Sequence, residues 1–227
     1  MKLTYGGHST FLVEHDGHRL IIDPFLSGNP AAVHKPEDIK VEAVLLTHGH
    51  GDHVLDAEAI ARANDATIIA PNELALYFAA KGLKVHPMGI GGSRVFDFGK
   101  VKFTHAFHSS SVETENGHVY MGMPTGILLT MGGKTVYHAG DTGLFGDMKM
   151  IGELEKPDVA LLPIGDNFTM GPEDALVAAT WIGAKTVVPM HYDTFGLITQ
   201  DGKAFAEQVT ARGLHGVAME NGDVLEV

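Results

Sequence analysis

Val41-Glu42-Ala43-Val44-Leu45-Leu46-Thr47-His48-Gly49-His50-Gly51-Asp52-His53 sets an apolar run directly in front of four metal-ligating side chains. In an extended chain, side chains two apart share a face, so His48 and His50 project together from the end of a buried strand. A helical pattern follows at Asp56-Ala57-Glu58-Ala59-Ile60-Ala61. The chain therefore reverses and aims Asp52 and His53 back toward the same point. The first pair is suited to grip one ion and the second pair another. Imidazole and carboxylate donors without thiolates suit zinc, manganese, iron or nickel. The alternative, a polar loop whose histidines merely cap the helix, leaves the order strand, ligands, helix as coincidence.

Three further segments carry the same residue types behind strand-like runs: Ala106-Phe107-His108-Ser109-Ser110, Tyr137-His138-Ala139-Gly140-Asp141-Thr142 and Val188-Pro189-Met190-His191-Tyr192. With the H-x-H-x-D-H segment, this order resembles the metallo-β-lactamase superfamily. Tyr5-Gly6-Gly7-His8-Ser9-Thr10, Ile22-Asp23-Pro24-Phe25 and Pro163-Ile164-Gly165-Asp166-Asn167-Phe168 extend the likeness over the whole chain. They are similar to a subgroup described only as metal-dependent hydrolases, related to the ascorbate-phosphate lactonases and more distantly to phospholipase D-type lipid hydrolases. The resemblance implies that His48, His50 and His108 hold a first ion, Asp52, His53 and His191 a second, and that Asp141 bridges them. The implied cofactors are two divalent metal ions, zinc or manganese foremost, with iron or nickel as alternatives.

The whole chain is compatible with that reading. Its 227 residues, 44% apolar, allow one sizeable domain over 1–227, or two intimately packed halves. There are no cysteines, so neither disulfides nor thiolate ligands are available. No apolar run reaches membrane-spanning length, and Met1-Lys2-Leu3-Thr4-Tyr5 is already strand-like. A soluble cytoplasmic protein is expected. A formal charge of −12, with Lys and Arg scattered singly, argues against nucleic acid as partner. A small-molecule substrate remains, an anionic one included, because the ions' own charge dominates such a site.

Alternation and apolar runs predict strands near 2–6, 10–15, 18–23, 41–46, 67–70, 84–87, 93–98 and 101–107. A second series is predicted near 126–131, 134–138, 158–162, 185–189, 216–219 and 223–227, with helices near 54–64, 72–81, 147–154, 172–182 and 201–212. Hairpins followed by strand–helix alternation, twice over, fit an α/β fold of two similar halves. That is the αββα four-layer sandwich the resemblance also implies. Residues 109–124 read either as a flap beside His108 or as an ordinary surface hairpin, and Gly89-Ile90-Gly91-Gly92 as a turn.

The expected activity is hydrolysis of a small ester, lactone or phosphodiester by a hydroxide shared between the ions. Asp52, His8 and His138 are the candidate catalytic side chains besides their neighbours in the metal set. For His8 the alternatives are reaching the site mouth, orienting a ligand, or serving as a plain strand histidine. For His138 they are a supporting or substrate-facing role, a hydrogen-bonded core position, or the ligand role in place of His108. Asp23 and Asp166 are candidate anchors for metal-bound imidazoles, or turn caps. Competing functions are a di-iron oxidoreductase and a non-catalytic metal sensor. Redox relatives typically carry an acidic residue where His50 stands, which places hydrolysis first.

Overall fold

The computed structural model describes residues 1–227. Its first half contains β1 (Lys2–Gly7), β2 (Thr10–His15), β3 (His18–Ile22), β4 (Ala43–Leu45), β5 (Thr67–Pro71) and β6 (Val85–Met88), with helices α1 (Gly51–Val54), α2 (Ala57–Asn64) and α3 (Asn72–Ala80). The second contains β7 (Ser93–Phe96), β8 (Gly99–His105), β9 (Ser111–Thr114), β10 (Gly117–Tyr120), β11 (Thr125–Met131), β12 (Lys134–His138), β13 (Val159–Pro163), β14 (Thr186–Met190), β15 (His215–Gly216) and β16 (Val224–Glu226). Its helices are α4 (Met148–Glu155), α5 (Pro172–Ile182) and α6 (Gly202–Ala211).

Two seven-stranded sheets form, ordered β16-β1-β2-β3-β4-β5-β6 and β15-β14-β13-β12-β11-β8-β7. Each joins antiparallel strands to a parallel series, β3 through β6 in one and β12 through β15 in the other. The strands alternate apolar side chains between two destinations, as a sheet covered on both faces requires. Leu20, Ile22, Leu45 and Ile69 meet Ile127, Leu129, Leu161 and Val188 in the core between the sheets. Their neighbours Ile21, Val44 and Ile68 pack outward on α2 and α3, while Leu128, Ala160 and Val187 pack outward on α4, α5 and α6. This is the expected αββα arrangement.

Pairing also fixes which strand ends coincide. Because β1 and β3 both run antiparallel to β2, and β8 and β12 both run antiparallel to β11, their carboxyl ends fall on one edge of each sheet. Parallel pairing extends that edge to β4 and β14. His8, Asp23, His48, His108, Asp141 and His191 all lie just past those ends. The two edges are stitched together, with His191 N–H donating to His8 O at 2.7 Å and Thr125 N–H to Thr47 O at 3.0 Å.

Several boundaries differ from the sequence reading. The helix expected over 54–64 splits into α1 and α2. Asp56 turns inward at the break, and its carboxylate accepts from Leu26 N–H at 2.6 Å, Ser27 N–H at 2.9 Å and the Ser27 hydroxyl at 2.5 Å. The strand expected at 216–219 shrinks to His215–Gly216. Residues 111–120 form a two-stranded hairpin, the second of the two expected readings. Gly89–Gly92 is a turn, closed by Gly92 N–H on Gly89 O at 3.0 Å.

Candidate metal centre

Two groups of ligand atoms converge at the shared edge, His48, His50 and His108 in one and His8, Asp52, His53 and His191 in the other. Within each group the ligand atoms lie inside 4.8 Å of one another. His50 Nδ1 stands 3.0 Å from His48 Nε2 and 3.2 Å from His108 Nε2. Nitrogens about 2.0–2.1 Å from a common zinc lie roughly 3.3 Å apart at the tetrahedral angle, so this spacing fits one cation.

Asp141 reaches both groups. Its Oδ2 lies 3.0 Å from His191 Nε2, 3.6 Å from His108 Nε2 and 3.8 Å from His48 Nε2, and its Oδ1 lies 3.3 Å from His53 Nε2. All seven residues assigned from the sequence are thus brought together. His8 joins them: Nε2 is 3.0 Å from Asp52 Oδ2 and Nδ1 is 2.9 Å from the Thr194 hydroxyl. It therefore takes the ligand-orienting place among its expected alternatives.

The ring orientations are set from behind. Asp23 accepts at one oxygen from Thr47 N–H at 2.8 Å, and at the other from the Thr47 hydroxyl at 2.6 Å and His53 Nδ1–H at 2.8 Å. Since that hydroxyl donates to Asp23, it accepts from His48 Nδ1–H at 3.0 Å. One buried carboxylate thereby fixes two imidazoles with their Nε2 atoms facing the centre, one directly and one through Thr47. Thr47, Thr194 and Ser110, whose hydroxyl accepts from Gly49 N–H at 3.0 Å, were not readable as site residues. Only adjacency to a ligand marks Thr47.

Asp166 anchors no imidazole. It sits in a turn, where its carboxylate accepts from Asn167 N–H at 2.8 Å. His138 also departs from its candidate catalytic role: Nε2–H donates to Ser9 O at 2.8 Å and Nδ1 accepts from Gly140 N–H at 3.1 Å. Both nitrogens are engaged by main chain, so the ring meets neither substrate nor ion. It holds the turn that delivers Asp141 and occupies the core position among its expected alternatives.

Electrostatics divide the two groups. Burial, with His53 nearby, lowers His48 well below the ordinary imidazole value, and burial with His108 nearby lowers His50. His108 is lowered chiefly by burial, against the pull of Asp141. These three rings are neutral donors near pH 7. At the other group burial is outweighed: Asp141, Asp52 and Asp23 raise His53 well above its usual value, and Asp141 with Asp52 raises His191 to about 9. His8 is lowered to about 4, mainly by burial and partly offset by Asp52.

A cation fits this donor set. His53 Nε2, Asp141 Oδ1 and both ring nitrogens of His191 are buried without a hydrogen-bond partner, an arrangement that is costly unless something else satisfies them. Backbone strain collects here too. His8, Asp23 and His191 adopt left-handed φ values of 56°, 44° and 54°, each costing of order 1–3 kcal/mol and characteristic of functional loops.

Residues 18–192 match the family model for the beta-lactamase superfamily domain. A UPF0173 metal-dependent hydrolase of Bacillus velezensis is 60% identical over 229 residues, covering 100% of both chains. The UPF0173 metal-dependent hydrolase YtkL of Bacillus subtilis is 58% identical, again over 100% of both. Among solved structures, Igni18, a metallo hydrolase from the archaeon Ignicoccus hospitalis, superposes with a TM-score of 0.91 at 39% identity, covering 100% of this chain and 98% of the other. The chain therefore belongs to the beta-lactamase superfamily, within its UPF0173 family, and is a metal-dependent hydrolase.

Proposed function

We propose that this enzyme cleaves a small ester, lactone or phosphodiester at a dinuclear centre, with zinc or manganese as its ions. The observation that carries the reading is Asp141, whose oxygens reach His48 and His108 on one side and His53 and His191 on the other. His48, His50 and His108 would hold one ion, Asp52, His53 and His191 the second, and Asp141 would be shared. Divalent ions held there supply Lewis acidity and bring the pKa of a water toward about 7.

The protein's own groups supply direction and hold the ligands in place. His48, His53, Asp141 and His191 are sealed from solvent, whereas the Asp52 and His108 side chains keep 26% and 12% of their exposure. Substrate therefore enters past Asp52, His50 and His108. At that mouth the Asp52 carboxylate accepts from His8 Nε2–H, and Thr194 positions the opposite nitrogen. The pair holds Asp52 in place at the edge of the centre. No serine or cysteine nucleophile is called for.

A cytoplasmic location is part of the proposal and is checked by cell fractionation. The chemistry is checked with p-nitrophenyl acetate, γ-butyrolactone and bis(p-nitrophenyl) phosphate. Turnover lost to a chelator and restored by zinc or manganese is the expected result. Turnover of none of the three with either ion, in protein shown to be loaded, would overturn the proposal.

A further inference from the structure

The rim of the centre is uneven in a chemically informative way. The exposed large aromatic side chains of this protein are Phe107, Tyr120, Phe168 and Phe195. Phe107 precedes His108 and Phe195 follows His191, while Tyr120 lies on the hairpin after His108 and Phe168 between β13 and α5. Isolated exposed apolar residues are ordinary on a soluble protein. An exposed aromatic whose ring lies against a histidine of the site is not, and Phe195, beside His8, is one.

Cations show the opposite distribution. None of the 16 Lys and Arg residues falls within segments 20–34, 41–61, 103–133, 135–148, 157–184 or 186–202, which carry Asp23 and all the ligands. The site carboxylates Asp23, Asp52 and Asp141 pair only with histidines. Asp23, on His53, adds a third carboxylate to Asp52 and Asp141. Two divalent ions held there would bring four positive charges, the three carboxylates would offset three of them, and no lysine or arginine of these segments adds to the remainder to draw in a phosphodiester anion.

Next to the second group the apolar rim has a defined wall. Phe195, 41% exposed, sets its ring 5.5 Å from His8 and 6.1 Å from Phe25, and Phe25 lies 5.5 Å from His8. Leu55, 51% exposed, and the Phe25 ring both crowd the space above Gly28, where an added Cβ would stand 2.8 Å from Leu55 Cδ2 and 2.3 Å from Phe25 Cε2. Leu55 and Phe195 are thus the exposed ends of an apolar wall backed by Phe25, itself only 6% exposed, and by the buried His8 ring, one hydrogen bond from Asp52.

We infer that the substrate is an uncharged carboxylic ester or lactone whose apolar acyl or aryl part lies on the Leu55–Phe25–Phe195 wall, rather than a phosphate ester. This rests on the hydrolase reading above and narrows it. An alkyl chain on such a wall gains about two- to fourfold in affinity per methylene, the upper figure being full burial.

The test is equilibrium binding of straight-chain alkanohydroxamates, from acetohydroxamate to octanohydroxamate, to zinc-loaded protein, with hydrolysis of the matching p-nitrophenyl esters and of bis(p-nitrophenyl) phosphate followed in parallel. Expected is a Kd that falls at least twofold per methylene in the unaltered protein and a slope reduced by half or more in Phe195→Ala and in Leu55→Ala. Leu154→Ala, an exposed change on α4 away from the ligand loops, keeps the full slope. A flat hydroxamate series, or phosphate ester cleaved faster than every neutral ester, overturns the inference. A normal binding slope without hydrolysis of any ester removes the hydrolase reading alone and leaves the wall as a ligand site.

Discussion

Replacing Asp23 by Asn isolates the role of one buried carboxylate without changing its size. Three donors converge on it: Thr47 N–H, the Thr47 hydroxyl and His53 Nδ1–H, at 2.6–2.8 Å. An amide offers one oxygen and one NH2. Because the Thr47 backbone N–H cannot reverse, the amide oxygen stays with it and the NH2 faces Thr47 Oγ1 and His53 Nδ1. The hydroxyl can rotate to accept. His53 can accept only by moving its proton from Nδ1 to Nε2, the nitrogen that lies 3.3 Å from Asp141 Oδ1 and 3.8 Å from Asp52 Oδ2. A ligand nitrogen carrying a proton cannot coordinate. Loss of such a partner typically costs about 10–100-fold in metal affinity, and the loss should fall on the ion held by His53, Asp52 and His191. Competition with a chromophoric chelator, alongside a thermal melt to establish folding, should show two ions per chain in the unaltered protein and one at the same free metal in Asp23→Asn. Two ions at unchanged affinity in folded Asp23→Asn would refute the reasoning.

Gly165→Ala would set a Cβ 2.3 Å from His191 O and 3.2 Å from His191 Nδ1, so it should displace that ligand and lower metal affinity about tenfold or more; the same competition assay reads it. His138→Phe leaves Ser9 O and Gly140 N–H without their partner, at about 1–3 kcal/mol each. Urea unfolding should report that loss, and unchanged stability in His138→Phe would refute the hydrogen-bonded core role. In chelator-treated protein, His191 is held up at about 9 by Asp141 and Asp52 against its burial. A raised folded-state value stabilises fully below the unfolded value of about 6.5 and is lost as pH rises through about 9, roughly 3 kcal/mol in all. Metal-loaded protein should move the opposite way over that window, because ligand protons must leave for the ion to bind; parallel urea titrations at about pH 6 and about pH 9 distinguish the two. Residues 1–227 are proposed to be one domain, since β16 returns to pair with β1, and fluorescence and circular dichroism should then report one coincident unfolding transition.

The sandwich was legible because its strands are buried on both faces and their apolar runs stand between clear turns. Val159–Pro163 and Thr186–Met190 came within a residue of their predicted bounds. The ligand set was legible because its residue types are chemically narrow and follow strand ends in order. What escaped depended on partners distant in sequence. Asp56 breaks the expected helix because Leu26 and Ser27 need a buried acceptor, and nothing near Asp56 in sequence announces that need. His138 stands as near to Asp141 in sequence as a ligand would, yet its ring is claimed by Ser9 from the other sheet. His8 joins the second group only because its backbone carbonyl is pinned by His191 N–H and the Tyr5 hydroxyl, at 2.7 and 3.0 Å. Short β15 carries too few apolar residues for periodicity to place it, whereas β16 falls inside its predicted 223–227.

Metal stoichiometry with Asp141 intact and altered tests the central claim most directly. Protein reconstituted with zinc or manganese, freed of loose metal and assayed for elemental content, should hold two ions per chain, and Asp141→Asn should lose metal and hydrolytic turnover together. A single ion in the unaltered protein, or two ions and full turnover in Asp141→Asn, would contradict a shared carboxylate at the heart of the site.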